Sequence, residues 1–244
     1  MANEETGVPQ GSVIAVTLFL VAMNGVFQQL PKDIYIFVYA DDINLIAVGK
    51  NPVFLRRKLQ AAVNAVARWA DSTGFQLSAE KSGTTHLCNT DHRPPQKPLT
   101  IHNAPIPYKK TLRILGIRID RKMSFKDHCN EVKADCKSRL NLLKVLSKPH
   151  ASNNRAIRQK VAGAIINSKL FYGCELTCRS SDTIFDKLEP VYNNYVRITS
   201  GLLSSTPGIA ACVEAGLLPS RIKLNHNFPI KPIGEIEYKL HFQQ

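Results

Sequence analysis

The chain has 244 residues, 44% of them hydrophobic, and carries 32 Lys and Arg against 19 acids, a formal net charge of +13. That length can bury one large core or two smaller ones, and the hydrophobic content excludes a disordered chain. The basic excess indicates a polyanionic partner, of which nucleic acid is the commonest. It is concentrated between Lys109 and Lys160, where fifteen basic residues accompany four acids, a net of +11 (15 minus 4).

Six cysteines are spread along the chain without the paired spacing of a zinc module. We expect reduced thiols and an intracellular protein, in the nucleus or the cytoplasm, because no secretory signal is evident. The apolar run from Val13 to Phe27 is short for a membrane span and is interrupted by Asn24. We therefore expect no association with a membrane.

The first motif is a turn followed by a helix. Two glycines and a proline in Gly7–Ser12 predict a turn that ends on an N-capping serine. Apolar residues then recur at helical spacing from Val16 to Phe27, and Pro31 ends the predicted helix. A glycine-rich turn at a helix start can lie against a nucleotide or a phosphate, although this signal is weak by itself.

The next motif is a pair of adjacent acids between two strand-like runs. The runs 34–40 and 43–48 are rich in β-branched and aromatic residues, which predicts a hairpin with its turn at Asp41-Asp42. The carboxylates would then lie at an exposed tip. Such a pair either holds a cation or solvates a turn, and the dipeptide alone leaves both readings open.

A second amphipathic helix is predicted after the hairpin. Asn51-Pro52 supplies a cap and a first-turn proline, and the apolar positions run as far as Gly74. Short strands are predicted at 75–77 and 84–88, separated by a turn that carries Lys81. From the residues alone, Lys81 is a surface turn residue.

Two more strand regions follow a proline-rich loop at 89–98. The stretch 99–106 predicts a small hairpin around His102-Asn103, and the stretch 112–119 alternates as one strand. Gly116 inside that strand predicts a bulge or the close approach of another backbone.

From Ser124 the apolar period becomes helical. Ser124 and Asp127 resemble a capping box, and the predicted buried face includes Val132, Cys136, Leu140, Leu143 and Leu146. Basic side chains occupy the other faces of this helix: Lys133, Lys137, Arg139 and Lys144. Further helices are predicted at 153–169, 181–203 and 206–215.

These elements predict an α+β fold. Residues 1–122 would form an antiparallel sheet with helices on one face, residues 123–220 an all-helical basic region, and residues 221–244 a poorly structured tail.

Three stretches in this order resemble the palm motifs of a reverse transcriptase of the non-LTR (LINE-type) retrotransposons: Gly7–Ser12, Tyr39–Asp42 and Leu115–Asp120. Between them, 74–82 resembles the family motif that carries a lysine. The stretches 171–173 and 197–201 are similar to the family's thumb-side and downstream helical region. Each piece is weak alone, whereas the ordered set is specific.

The resemblance implies a partial polymerase palm followed by a basic thumb, with an RNA template, a DNA primer and dNTPs as partners. It implies that Asp41 holds catalytic Mg²⁺ or Mn²⁺, supported by Asp42, and that Lys81 acts near the leaving pyrophosphate. It places Gln10, Gly11 and Tyr39 near the template or the nucleotide. Leu115 and Gly116 become the primer grip, and Lys133, Lys137, Arg139 and Lys144 become contacts to the nucleic-acid backbone.

One motif of the family is not matched. Its first palm motif supplies another aspartate upstream of the Gly7–Ser12 turn, and only six residues of this sequence precede that turn. We therefore expect a fragment that lacks the fingers and that aspartate, with little polymerase activity on its own. The alternatives are a non-catalytic nucleic-acid-binding remnant of a transposable element, and a pseudogene product with exposed core faces and poor solubility.

Overall fold

A computed structural model describes residues 11–88, 97–146, 155–177 and 182–227. The chain divides into two compact units, one up to Leu112 and one from Arg113 onward. The fold is α+β, as expected from the sequence, but the strands of the described residues pair only as three separate two-stranded sheets.

Within the described residues, the first unit contains two α-helices, a 3₁₀ helix and two hairpins. Its elements are α1 (Ala15–Asn24), a 3₁₀ helix (Gly25–Gln29), β1 (Tyr35–Tyr39), β2 (Asp42–Ile46), α2 (Pro52–Thr73), β3 (Thr100–Ile101) and β4 (Ala104–Pro105). The part of the second unit that the structure describes contains a hairpin and six helices. Its elements are β5 (Thr111–Ile114, which begins just before the boundary), β6 (Ile117–Asp120), α3 (Lys126–Leu146), α4 (Arg155–Leu170), α5 (Cys174–Thr177), α6 (Asp182–Ser200), α7 (Gly208–Ala215) and α8 (Ser220–Asn227).

Helix α2 is the central element of the first unit, and its predicted ends are confirmed. The side chain of Asn51 accepts hydrogen bonds from the backbone N–H groups of Val53 and Phe54, at 3.0 and 3.3 Å. At the other end, Gly74 adopts the left-handed conformation (φ 77°), which glycine reaches without steric cost. Trp69 lies in the core formed by α2, α1 and the β1–β2 hairpin.

The start of α1 and the nearby strands differ from the prediction. Ser12 is not the N-cap, because the helix begins at Ala15 and no side chain caps it. The predicted strands at 75–77 and 84–88 are wrong: apart from an isolated bridge between Thr84 and Tyr108, these residues form no strand. Phe75 instead stacks on Trp69 at 5.2 Å, so packing alone, without a strand ladder, accounts for its apolar character.

The stretch 112–119 is a hairpin and not a single strand. Leu115 and Gly116 connect β5 to β6, and both have positive φ, 47° and 82°. Two consecutive residues with positive φ are typical of the tight turn that joins antiparallel strands. Gly116 therefore lies in a turn, whereas its position inside a predicted strand had indicated a bulge or the close approach of another backbone.

The second unit has its own core, centred on α3, α4, α6 and α7. The predicted buried face of α3 is confirmed at Val132, Cys136, Leu140 and Leu143. The rings of Tyr192 and Tyr195 are fully buried, and the Tyr192 hydroxyl donates to the Leu218 carbonyl at 2.9 Å. Burying these rings contributes to stability because each hydroxyl retains an acceptor.

The capping box predicted at Ser124 and Asp127 is replaced by a different contact. Ser124 donates through its N–H and its hydroxyl to the carboxylate of Asp120, both at 3.1 Å, and the Phe125 N–H donates to the same carboxylate at 2.6 Å. Partial burial raises the pKa of Asp120, but these hydrogen bonds, with another from the Lys122 N–H, outweigh burial and lower it. Asp120 thus orders the entry into α3.

The later helices agree with the periodicity, with small differences at the ends. The predictions at 153–169, 181–203 and 206–215 correspond to α4, α6 and α7. The predicted tail begins at 221, yet 221–227 belong to α8, and the rest of it, like 89–96 of the proline-rich loop, lies outside the described residues. None of the helices within those described residues is both long and apolar enough to cross a membrane.

Candidate active site on the β1–β2 hairpin

The two adjacent acids lie at the tip of the β1–β2 hairpin. The strands pair in register from Tyr35 with Ile46 to Tyr39 with Asp42, which leaves Ala40 and Asp41 as a two-residue turn. The turn is thus one residue earlier than predicted, and Asp42 is the first residue of β2. Ala40 has a φ of 49°, a conformation that costs a residue with a Cβ about 1–2 kcal/mol.

Packing of one face of the hairpin fixes this register. Ile36, Val38, Ile43 and Leu45 pack against the core around Trp69. Because side chains alternate along a strand, the opposite face presents Tyr39 and Asp42 side by side as a cross-strand pair. A shift of one residue would bury these polar groups, so the core favours the register that exposes them.

The two carboxylates suit a hard cation. Both aspartates are exposed. Mg²⁺ prefers oxygen ligands and typically takes one or two protein carboxylates, completing its octahedron with water and substrate phosphates. Among the described residues, no three His, Cys, Asp or Glu side chains come together. The pair therefore offers two carboxylate ligands of the kind that Mg²⁺ or Mn²⁺ takes.

Asp33, the nearest acid before the hairpin, forms an ion pair with Lys58 of α2. Asp33 accepts a hydrogen bond from the Lys58 ammonium on α2 at 2.6 Å. This hydrogen bond and the lysine charge lower the pKa of Asp33. Its carboxylate thus anchors the chain before β1 to α2, whereas Asp41 and Asp42 make no ion pair with any residue that the structure describes.

Three other residues of the first unit were also predicted to act near the nucleotide: Lys81, Gly11 and Gln10. Lys81 is exposed on a turn in which Ser82 donates to the Ser78 carbonyl, and no ion pair within the described chain joins it to Asp41 or Asp42. Gly11 is exposed with a φ of 91°, and a Cβ added there would meet no atom within 4 Å. Gln10 lies outside the described residues.

The predicted primer grip, Leu115 and Gly116, lies on the β5–β6 turn of the second unit. Tyr172 contacts this turn. The Tyr172 hydroxyl donates to the Leu115 carbonyl, and its ring lies 3.5 Å from where a Cβ on Gly116 would stand. Next to it, a Cβ on Gly173 would come within 2.7 Å of the Ile117 side chain. The stretch 171–173 is part of the family resemblance, but the sequence did not predict this contact, because the contact depends on tertiary packing.

The four predicted backbone contacts on α3 are not equivalent. Lys137 and Lys144 are exposed, and Lys133 is half-buried. Arg139 instead donates to the Ile165 carbonyl of α4 at 2.9 Å and pairs with Asp135 at 3.4 Å. Its guanidinium therefore ties two helices together, which leaves Lys137 and Lys144 as the side chains best placed to meet a phosphate.

The second unit contains a cluster of charged side chains that was not predicted from the sequence. Glu131 of α3 bridges Arg113 of β5, at 3.1 Å, and Arg118 of β6, joining the hairpin to the helix. The hydrogen bond from Arg118 lowers the pKa of Glu131. No local pattern predicts the cluster, because its members come from three elements.

Comparison with known proteins identifies the family that this chain resembles. Residues 2–119 match the family model of reverse transcriptase (RNA-dependent DNA polymerase), a range that includes the Asp41–Asp42 hairpin and Lys81. The RNA-directed DNA polymerase from mobile element jockey of Drosophila melanogaster is 24% identical over 201 residues, 80% of this chain and 22% of the relative. The chain belongs to the reverse transcriptase family.

Other relatives indicate which group of reverse transcriptases the chain resembles. The probable RNA-directed DNA polymerase from transposon X-element of Drosophila melanogaster is 23% identical over 82% of this chain and 22% of its own length. A Pol polyprotein from type-1 retrotransposable element R1 of Nasonia vitripennis is 30% identical over 50% of this chain and 37% of its own length. The chain is a reverse transcriptase segment of the non-LTR retrotransposon group. It spans about a fifth of the length of the first two relatives, and no solved structure matches it.

Proposed function

We propose that this chain supplies the metal-binding hairpin, part of the palm and the thumb of a polymerase that extends a DNA primer on an RNA template. The observation that carries the proposal is the exposed Asp41–Asp42 tip, held by a packed hairpin inside the segment that matches the family. The substrates would be dNTPs. An intracellular site of action, in the nucleus or the cytoplasm, accompanies this proposal because RNA templates and dNTPs occur there.

Each residue of the hairpin has a distinct role in this proposal. Asp41 and Asp42 would hold Mg²⁺ or Mn²⁺, which supplies charge stabilisation and activates the primer 3′-oxygen for attack on the α-phosphate. Tyr39, paired with Asp42 on the exposed face, would lie against the template or the nucleotide. The family resemblance gives Gln10 and Gly11 the same role. Lys81 would stabilise or protonate the departing pyrophosphate.

The second unit would hold the primer–template duplex. Leu115 and Gly116, on the turn held by Tyr172, would contact the primer strand. Lys137 and Lys144 project from α3 into solvent and can meet phosphates, while Lys133 is less accessible and Arg139 is already engaged. Contacts of this kind bind duplexes largely without regard to sequence.

A second candidate function is nucleic-acid binding without catalysis. It is favoured by the +11 charge between Lys109 and Lys160 and by the absence of a third metal-binding side chain beside the pair among the described residues. It predicts salt-sensitive binding with no metal-dependent incorporation of nucleotides.

The test is primer extension on an RNA template with dNTPs and Mg²⁺. It compares the 244-residue chain, the same chain with a reverse transcriptase segment that bears the family's further aspartate placed upstream, and Asp41→Asn in both. We expect incorporation by the extended protein and a loss of about 100-fold or more with Asp41→Asn, because the substitution removes a charged metal ligand.

The matched control is Asp33→Asn, which removes one carboxylate from the same segment and breaks the ion pair with Lys58. This control should retain activity after correction for any loss of stability. Incorporation by neither protein would exclude the polymerase proposal for this chain and leave the binding function. Full activity of Asp41→Asn would exclude the assigned role of Asp41.

A further inference from the structure

A basic groove of about 650 Å³ lies in the first unit between α2 and the β3–β4 hairpin. We refer to it as the α2 groove, and the side chains that matter are Arg56, Asn64, Arg68, Lys97, His102 and Asn103. Arg56, Asn64 and Arg68 follow each other at multiples of four residues, which places them along one side of the helix. This side differs from the one that packs on the β1–β2 hairpin through Val66 and Ala70.

The walls of the α2 groove are fixed by a reciprocal pair of hydrogen bonds. The Gln60 amide donates to the Thr100 carbonyl at 2.9 Å and accepts from the Thr100 N–H at 3.0 Å. Below this contact, Val63 of α2 packs with Leu99 and Ile101 in a small buried cluster. The groove is therefore preformed, so a ligand need not order its walls.

The charge of the α2 groove is mostly uncompensated. Arg56, Arg68 and Lys97 form no ion pair with any other described residue, although Lys58 on the same helix is paired with Asp33. Among the described residues that line the groove, the one carboxylate is that of Asp71, which lies 3.3 Å from the His102 imidazole. The groove thus offers three basic side chains to an anion and one acid already in contact with a histidine.

The spacing of the cations selects an extended anion. Arg56 and Arg68 are twelve positions apart, or about 18 Å along the helix axis, too far for one phosphate group to bridge. Along the axis of a duplex, the phosphates of one strand rise by ~3.4 Å per nucleotide, so this distance corresponds to about five nucleotides of a duplex whose axis runs parallel to α2. The amides of Asn64 and Asn103 lie among the cations as neutral donors, and side chains of both kinds typically contact phosphates.

We propose that the α2 groove binds the sugar–phosphate backbone of a nucleic-acid strand, as a site separate from the Asp41–Asp42 hairpin and from the lysines of α3. None of the described residues that line the groove is Phe, Tyr or Trp, so we expect binding through phosphates that is largely independent of sequence. The proposal does not require nucleotidyl transfer. It holds for a polymerase and for a non-catalytic binder alike.

The test measures binding of a fluorescein-labelled oligo-dT strand and of an RNA–DNA hybrid by anisotropy, across a range of KCl concentrations and without Mg²⁺ or dNTPs. The groove variant is Arg56→Gln with Arg68→Gln. The control is Arg57→Gln with Lys50→Gln, which removes the same charge from two exposed residues outside the groove. Circular dichroism and thermal melting confirm that both variants fold.

We expect the slope of log K against log [KCl] to become shallower by about 1.5–2 in the groove variant. Each phosphate contact that is lost reduces the number of counterions released on binding by about one. The control should keep the wild-type slope, and Arg56→Lys with Arg68→Lys should retain most of it.

Equal slopes for the groove variant and the control would overturn the proposal, and so would a wild-type chain that binds neither probe. Displacement of the strand by poly-glutamate at equal charge concentration would instead indicate an acidic polypeptide. Because the assay contains no metal and no nucleotide, failure of primer extension leaves its outcome unaffected.

Discussion

At the residue scale, the two turns that have roles in the proposed function both hold a residue other than glycine in a left-handed conformation. Ala40 precedes Asp41 with a φ of 49°, and Leu115 precedes Gly116 with a φ of 47°. Such residues persist only where surrounding contacts hold them, and they concentrate at functional sites. Here the contacts are the packed face of the β1–β2 hairpin and the Tyr172 hydroxyl.

A buried histidine gives a prediction at the same scale. His128 is 4% exposed, and burial lowers its pKa below the ordinary 6.5, opposed only in part by Glu131. The folded chain therefore keeps His128 neutral while the unfolded chain takes up a proton. The free energy of unfolding of the second unit should fall as the pH drops through about 6.5, by at most ~1.4 kcal/mol per pH unit.

The measurement is hydrogen exchange of α3 and α6 amides between pH 7.5 and 5.5, corrected for intrinsic exchange rates. His128→Asn keeps an acceptor for the Arg118 N–H but cannot titrate, so its stability should depend less on pH. The control, His102→Asn, changes an exposed histidine of the first unit and should leave the slope intact. Equal slopes for wild type and His128→Asn would contradict the prediction.

At the element scale, pairs of short strands depend on a neighbouring helix. An isolated two-stranded hairpin is at best marginally stable in water. The β1–β2 hairpin packs on α2, β3 is held by Gln60, and the β5–β6 hairpin is tied to α3 through Glu131. Each proposed functional turn therefore owes its position to contacts with a helix.

Removal of one such contact should loosen one element. Tyr172→Phe deletes the hydroxyl that donates to the Leu115 carbonyl, a bond that contributes about 0.5–1.5 kcal/mol. We expect faster hydrogen exchange at residues 112–120 and little change in α6. Tyr108→Phe, a tyrosine of the first unit, serves as the control. Unchanged exchange at 112–120 would show that the hydroxyl does not hold the turn.

At the scale of the whole molecule, the first unit exposes apolar side chains on two elements. Tyr35, Phe37 and Tyr39 are 58%, 59% and 66% exposed on β1, and Val16 and Leu20 are 67% and 57% exposed on α1. Contiguous apolar surface of this kind marks an interaction site or a tendency to aggregate. The alternative of a pseudogene product with exposed core faces predicts poor solubility through the same kind of surface.

We expect the chain to associate as its concentration rises, as measured by size-exclusion chromatography with light scattering. Val16→Glu with Leu20→Glu should keep it monomeric to higher concentration, because charge on α1 opposes apolar contact. Gln28→Glu with Gln29→Glu adds the same charge at exposed polar positions and should have a smaller effect. Equal association of both variants would place the self-contact elsewhere.

The sequence by itself determined the family, the α+β class and the elements whose signals are local. The acid pair at 41–42 needed only its flanking strand-like runs, and α2 needed only its Asn51 cap and Gly74 stop. Helical periodicity likewise determined the buried face of α3. These predictions succeed because the information lies within a few residues or one helical repeat.

Only the tertiary structure decided which residues meet across elements. It moved the acidic turn back by one residue, because cross-strand pairing of Tyr39 with Asp42 sets the register. It showed that Arg139 ties α3 to α4 and that Tyr172 holds the β5–β6 turn. It also built the α2 groove from a helix and from the segment that begins at Lys97. These features depend on side chains far apart in the chain, whose contacts no local pattern specifies.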